Sequence, residues 1–236
     1  MDERVLILDG SIWPEIYRPT AEWRALLGEV PSDSVRISAG ESVPDPSRYS
    51  HLIFTGSEAS ITKPEPWFEA GAEAIRRGAE LGMPILGSCF GHQLLVRTLS
   101  GERCVAPCAE PELGWLQVEI TARDELLDGL PDPFWVFVAH FDEVPDPPRP
   151  WRVLARSDGC AVQAMRLGDR PIWGIQAHPE ITPEDGRVLL EGFCRKAPDK
   201  AELVRPALEM QSRDDGVAAE IARRFLAAGP ARGSGV

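Results

Sequence analysis

The chain has 236 residues, 43% hydrophobic and 26% charged, which is enough to bury a large core and ordinary for a globular protein. Its formal net charge of −12, with no stretch rich in Lys and Arg, argues against a nucleic-acid partner. No apolar run approaches bilayer length, the opening MDERVLILDG carries acids in place of a basic leader, and five cysteines lack framework spacing, so the expectation is a cytoplasmic protein away from membranes.

In chain order, VLIL (Val5–Leu8) reads as a buried strand, followed by a helix or loop plus helix within Glu15–Leu27. Ser34–Ser38 is a second strand candidate and His51–Gly56 a third, ending on glycine. Trp67–Leu81 is helical, with Phe68, Ala72, Ile75 and Ala79 along one side, and Gly82 stops it. Pro84–Gly87 returns as a fourth strand. Strands alternating with helices predict a parallel sheet covered on both faces.

That fourth strand runs into Gly87-Ser88-Cys89-Phe90-Gly91, a pattern suited to a strand, a sharp turn and a helix. Small flanking residues permit the close backbone approach such an elbow requires. The helix that follows, starting near His92, aims its N-terminal N–H groups at the sulfur and favours negative charge there. The N–H of Phe90 would face the oxygen of a tetrahedral intermediate. Read alone, the five residues serve a buried structural cysteine as well as a nucleophile.

Beyond residue 100 the texture changes. Segments 115–121, 134–140, 152–157, 161–167 and 171–176 are short strand-like runs parted by Pro, Gly and Asp, which predicts an antiparallel extension returning to the main sheet at Ile172–Gln176. Thr182 as N-cap and Pro183 at the first position open a helix over Pro183–Arg195. Farther on, Val217, Ile221 and Phe225 with Ala218, Ala222 and Leu226 make an amphipathic helix, with Ser212 and Asp215 as its expected capping box. The last residues, ARGSGV, are expected to fray.

Four histidines are present. His51 opens a core strand and reads as structural, and His92 lies on the elbow helix, pointing away from any reaction. His178 stands just past a buried strand with Glu180 two residues on, and Pro179 disfavours helix there. In an extended segment residues i and i+2 share a side, so the Glu180 carboxylate can hold the His178 imidazole while its other nitrogen serves a thiol. Without the elbow, the same pair would read as a surface His–Glu contact. Cys104 and Cys108 have zinc-like C-x₃-C spacing, but no second pair follows, so no metal is expected. Cys160 and Cys194 fall in apolar patterns and read as core.

GSCFGHQ around Cys89 and QAHPE around His178 and Glu180, with 89 residues from nucleophile to base, resemble the Cys-His-Glu triad of class I glutamine amidotransferases. ELGW (Glu112–Trp115), AHFDEVPD (Ala139–Asp146) and LARSDGCAVQAM (Leu154–Met165) are similar to the subgroup containing the glutaminase half of GMP synthase. The resemblance covers about residues 1–197 and implies a flavodoxin-like α/β fold: a mostly parallel sheet flanked by helices, with an antiparallel extension. Residues 198–236 would form a C-terminal helical extension.

By position, the resemblance implies that the backbone of Gly56 or Ser57 supplies the second oxyanion donor opposite Phe90. Ser57 and Glu58 stand where GMP synthases carry Gly and Pro. It further implies that Gln93 helps bind substrate, and that the backbone around His140 and Phe141 holds the substrate's α-amino and α-carboxylate groups. Phe141 replaces a commoner glycine, and Asp142 reads equally as a turn-forming acid or a binding residue. The implied activity is hydrolysis, through a thioester, of the side-chain amide of glutamine or of a γ-glutamyl amide, with no metal or organic cofactor. No phosphate loop of an ATP-pyrophosphatase domain occurs in the chain. Two enzyme readings therefore stand: a glutaminase subunit feeding ammonia to a separate synthase or ligase, and a stand-alone γ-glutamyl amide hydrolase. A non-catalytic binding module on the same fold is the third reading, disfavoured because it has no need of all three triad residues.

Overall fold

The structure, a computed structural model, describes residues 3–231. Nine strands form one mixed sheet: β1 (Val5–Asp9), β2 (Ser32–Arg36), β3 (His51–Phe54), β4 (Ile85–Ser88), β5 (Ala106–Ile120), β6 (Phe134–Glu143), β7 (Trp151–Arg156), β8 (Ala164–Leu167) and β9 (Ile172–Ile175). Their order is β2-β1-β3-β4-β9-β8-β7-β5-β6. From β2 to β9 all neighbours are parallel, and from β9 to β6 all are antiparallel. This is the expected flavodoxin-like α/β sheet with its antiparallel extension.

The helices are α1 (Pro19–Leu27), α2 (Trp67–Glu80), α3 (Phe90–Ser100), α4 (Pro183–Lys196), α5 (Ala201–Glu209) and α6 (Val217–Ala227). Alternation along β1 divides them between the two faces. Leu6 and Leu8 join Phe54, Ile75, Phe90 and Leu94 on the α2 and α3 side. Val5 and Ile7 join Trp23, Trp173, Ile221 and Phe225 on the α1 and α6 side. A parallel strand buried on both faces has to be apolar at every position, which is why VLIL shows no alternation. A third cluster, with Trp115, Phe137, Ile181, Leu189 and Val204, seats α4 and α5 against the antiparallel half.

Glu15–Leu27 takes the second of its two expected forms, a loop plus helix: the segment before α1 is a turn, with Tyr17 N donating to Trp13 O at 3.1 Å, and the helix starts at Pro19. Other local details depart from the sequence-based expectations. β5 begins nine residues earlier than Trp115, in a Pro-containing stretch that pairs irregularly with β6. The helix α5 lies in a segment where the sequence carries no motif. α4 starts as expected, the Thr182 side chain accepting from Asp185 N at 3.2 Å. The Ser212–Asp215 capping box does not form. Gly216, at φ 70°, precedes α6, and the Asp215 carboxylate instead accepts from Trp135 N at 2.8 Å. A tertiary partner has taken the carboxylate a local cap would have used. The expected fraying falls mainly on residues 232–236, outside the described residues. Among the described residues, no helix is long and apolar enough to cross a membrane.

Candidate active site

Cys89 follows β4 directly and caps α3, at φ 47° and ψ −104°, the one non-glycine residue with positive φ among those described. Such a conformation costs of order 1–3 kcal/mol and persists only where surroundings enforce it. Here Cys89 N donates to Ile175 O at 2.8 Å, and Gly91 N to Thr55 O at 3.2 Å, stitching the turn to β9 and to the end of β3. A methyl group on Gly87 would fall 2.5 Å from the Gly91 carbonyl carbon, and one on Gly91 would run into the Phe54 carbonyl oxygen. Both glycines are there for close approach. The sulfur is nearly buried, 3.8 Å from Ala139 O of β6, so the antiparallel extension roofs the elbow.

His178 and Glu180 come together at the end of β9, though not by an extended run. His178 N donates to Phe137 O at 2.8 Å, and Ile181 N closes a turn on His178 O at 3.2 Å. The turn brings Glu180 Oε1 to 2.9 Å from His178 Nδ1. The same oxygen accepts from Tyr17 Oη at 2.8 Å, and Ser88 Oγ donates to Oε2 at 3.1 Å. With Nδ1–H directed at Glu180, Nε2 is the nitrogen left for proton transfer. Burial pushes the His178 pKa down, but the negative charges of Cys89 and Glu180 outweigh it and hold the imidazole well above its ordinary value.

The other expected residues lie around this centre. Among the described residues, the N–H groups of Gly56, Ser57 and Phe90 have no protein acceptor. Gly56 is also a close-approach position, since a Cβ there would fall 2.6 Å from His178 Cε1 and 2.7 Å from Tyr17 Oη. Gln93 Nε2 donates to Asp142 O at 2.6 Å and to Gln176 Oε1 at 3.1 Å, bracing β6 over the site. Asp142 does not form the turn before Pro145. Its carboxylate accepts from Ser60 Oγ at 2.6 Å and Ile61 N at 3.1 Å, tethering the loop that carries Gly56 and Ser57. His140 contacts Asp142 O at 3.2 Å, Cys108 Sγ at 3.3 Å and Glu112 Oε2 at 3.1 Å. Burial disfavours charge on Glu112, but hydrogen bonds from His140 and Ser157 outweigh it and hold its pKa below the usual range.

His92 is buried against Gly174, away from Cys89, and burial lowers its pKa to about 3. His51 contacts Ser50 Oγ and Ala228 O and packs edge-on to Phe225, anchoring the C-terminal helix. Cys104 lies apart from Cys108, its thiol directed at Ser100 O. Cys160 is buried, as expected, while Cys194 is only half-buried. Glu112, His140 and Cys160 could place three ligand atoms close together, but four donors already occupy the Glu112 carboxylate: His140, Ser157, Gly159 N and Gln163.

A pocket of about 400 Å³ opens on Cys89, lined also by Ser57, Glu58, Gln93, Phe141, Phe193 and Lys200. It lies at the carboxyl ends of β3 and β4, where open α/β sheets bind ligands. Sequence reading missed Tyr17, Ser88, Phe193 and Lys200. Only Ser88 carried a local signal, its place beside Cys89 in the elbow; its hydroxyl reaches Glu180, just past the end of β9.

The model of the family described as glutamine amidotransferase class-I matches residues 31–197. Glutamine-hydrolysing GMP synthase from Aeropyrum pernix is 38% identical over 192 residues, 80% of this chain and 35% of that protein. The match therefore spans about a third of that relative. A glutamine-hydrolysing GMP synthase subunit from Sulfolobus acidocaldarius is 33% identical over 168 residues, 70% of this chain and 87% of that protein. A crystal structure of a glutamine amidotransferase from Thermotoga maritima superposes with a TM-score of 0.78 at 22% identity, covering 96% of this chain and 97% of that one. That likeness is one of fold.

Proposed function

The chain belongs to the class I glutamine amidotransferase family, and on that premise we propose that it hydrolyses the side-chain amide of glutamine or of a γ-glutamyl amide with Cys89, His178 and Glu180 as the catalytic triad. The observation that carries this reading is the strained Cys89 elbow at the N-terminus of α3 beside a buried imidazole whose Nδ1 is held by Glu180. The Cys89 thiolate attacks the amide carbon and forms a tetrahedral intermediate. Its oxyanion is held by the N–H of Phe90 and that of Gly56 or Ser57. His178, protonated, gives its proton to the leaving nitrogen, and ammonia or an amine departs from the thioester. Water, deprotonated by His178, then cleaves the thioester to glutamate and regenerates the thiolate. No metal or organic cofactor takes part in these steps.

The purified chain should release ammonia from glutamine, or the amine from a γ-glutamyl amide, and Cys89→Ala should abolish the release. A diazoketone analogue of glutamine should label Cys89 and no other residue. Failure to label Cys89 would sink the proposal. A second reading, a glutaminase subunit delivering ammonia to a separate synthase, draws support from the relatives named as GMP synthase subunits, most of whose length the chain matches. Glutamine hydrolysis that appears only when such a synthase is added would favour it.

A further inference from the structure

Two lysines, exposed Lys63 and half-buried Lys200, line the Cys89 pocket, although the chain as a whole is acidic. Two carboxyl groups line it as well, and each accepts from the protein's own loops, Glu58 through one oxygen only among the described residues. Asp142 accepts from Ser60 and Ile61, and Glu58 accepts from Ile12 N at 2.8 Å while burial pushes its pKa up. Lys200, in the turn between α4 and α5, is half-buried and has no ion-pair partner among the described residues, whereas Lys196 one turn earlier pairs with Glu15. Its ammonium lies 3.9 Å from the centroid of the Phe141 ring and 5.9 Å from that of Phe193. Those rings stack at 5.4 Å with 23° between planes. Val204 and Ala207 of α5 pack into the cluster that holds α4, which fixes the turn bearing Lys200. An ammonium so placed keeps its attraction to aromatic faces and gives up part of its water, a position that rewards a ligand anion.

We propose that Lys200 is a specificity-determining residue that takes a carboxylate of the substrate, with Phe141 and Phe193 as the shelf that aims it. The proposal rests on the reading of Cys89 as the nucleophile of an amide hydrolase. In a γ-glutamyl amide the carboxylate has two sources: the α-carboxylate of the glutamyl half, or one carried by the amine half, as in γ-glutamyl derivatives of amino acids.

Four probes separate these sources: L-glutamine, L-glutaminamide (the α-carboxylate amidated), γ-L-glutamylglycine and γ-L-glutamylethylamide. Binding is measured by calorimetry on the full chain carrying Cys89→Ala, with and without Lys200→Met. Turnover is measured with Cys89 intact, in Lys200→Met and Lys200→Arg. If the amine half supplies the anion, Lys200→Met weakens γ-glutamylglycine by about tenfold or more and leaves the other three within about twofold. If the α-carboxylate supplies it, glutamine and both γ-glutamyl compounds lose about tenfold and glutaminamide is unchanged. In either case Lys200→Arg retains most of the affinity. Equal affinity for all four probes with and without Lys200, an equal loss on all four, or no binding of any probe to the Cys89→Ala chain would overturn the proposal. Binding that depends on Lys200 without turnover of any probe would instead sink the stand-alone hydrolase reading and leave the subsite standing.

Discussion

The Tyr17 hydroxyl and His178 Nδ1 meet at one oxygen, Glu180 Oε1, at 2.8 and 2.9 Å. With Ser88 Oγ on the other oxygen, the carboxylate is held at both ends and cannot rotate away from the imidazole. Tyr17→Phe removes one of these three donors and keeps the ring that packs edge-on to His178. A neutral hydrogen bond of about 1 kcal/mol implies a fall in kcat of about fivefold with KM little changed. An unchanged kcat, with thermal stability equal to wild type, would show that Tyr17 only packs.

Glu180→Gln should act through the titration of His178. The imidazole pKa is raised because the charges of Cys89 and Glu180 outweigh burial, so removing one charge lowers it. The alkaline limb of the pH–rate profile should then move to lower pH, with kcat down about 100-fold or more from loss of orientation. Alkylation of Cys89 by iodoacetamide, followed against pH, reads the same shift without substrate. A limb that stays in place would contradict the coupling.

Gly56→Ala places a methyl group where His178 Cε1 and Tyr17 Oη lie, 2.6 and 2.7 Å from the ideal Cβ. The imidazole must give way, and a displacement of this kind costs about 100-fold in kcat while the fold persists. Gly91→Ala meets backbone instead, at the Phe54 carbonyl, and should destabilise the chain by about 2–4 kcal/mol. Urea unfolding of both variants beside their activity separates the two effects.

Glu22 carries a stability penalty that depends on pH. Burial, then the charges of Glu180 and Asp185, push its carboxyl pKa up to about 8, and Oε2 has no hydrogen-bond partner among the described residues. Its folded pKa lies above the unfolded value of about 4.3. The penalty is therefore absent below that pH, grows as pH rises toward 8, and stays constant above it. Glu22→Gln should leave Tm unchanged at about pH 4 and raise it by about 3 °C or more at about pH 8. An equal change at both pH values would point to packing and not to titration.

The parallel half of the sheet was legible because its signals are local. VLIL, HLIF and PILG are short apolar runs bounded by turn residues, and each became a strand buried on both faces. The elbow was legible for the same reason, since its five residues are contiguous. Other expectations went astray where a distant partner intervened. Asp215 was taken by Trp135, and the backbone from His178 to Glu180, expected to be extended, turns against Phe137 while the pair itself forms. Of the two readings of Asp142, the turn gave way to contacts with the loop after β3.

By itself the sequence determined the Cys89 elbow, the His178–Glu180 pair and the fold class, because each is encoded within a few residues or in the spacing of such segments. Tertiary structure alone decided which groups hold that pair and what faces Cys89. Tyr17 reaches Glu180 across 163 residues and Ser88 across 92, because the sheet order sets β4 beside β9 and the turn after β1 above them. Lys200 reaches the pocket only because α5 packs on the antiparallel half. Packing energy chose those contacts, and packing depends on which surfaces meet, a quantity no local pattern records.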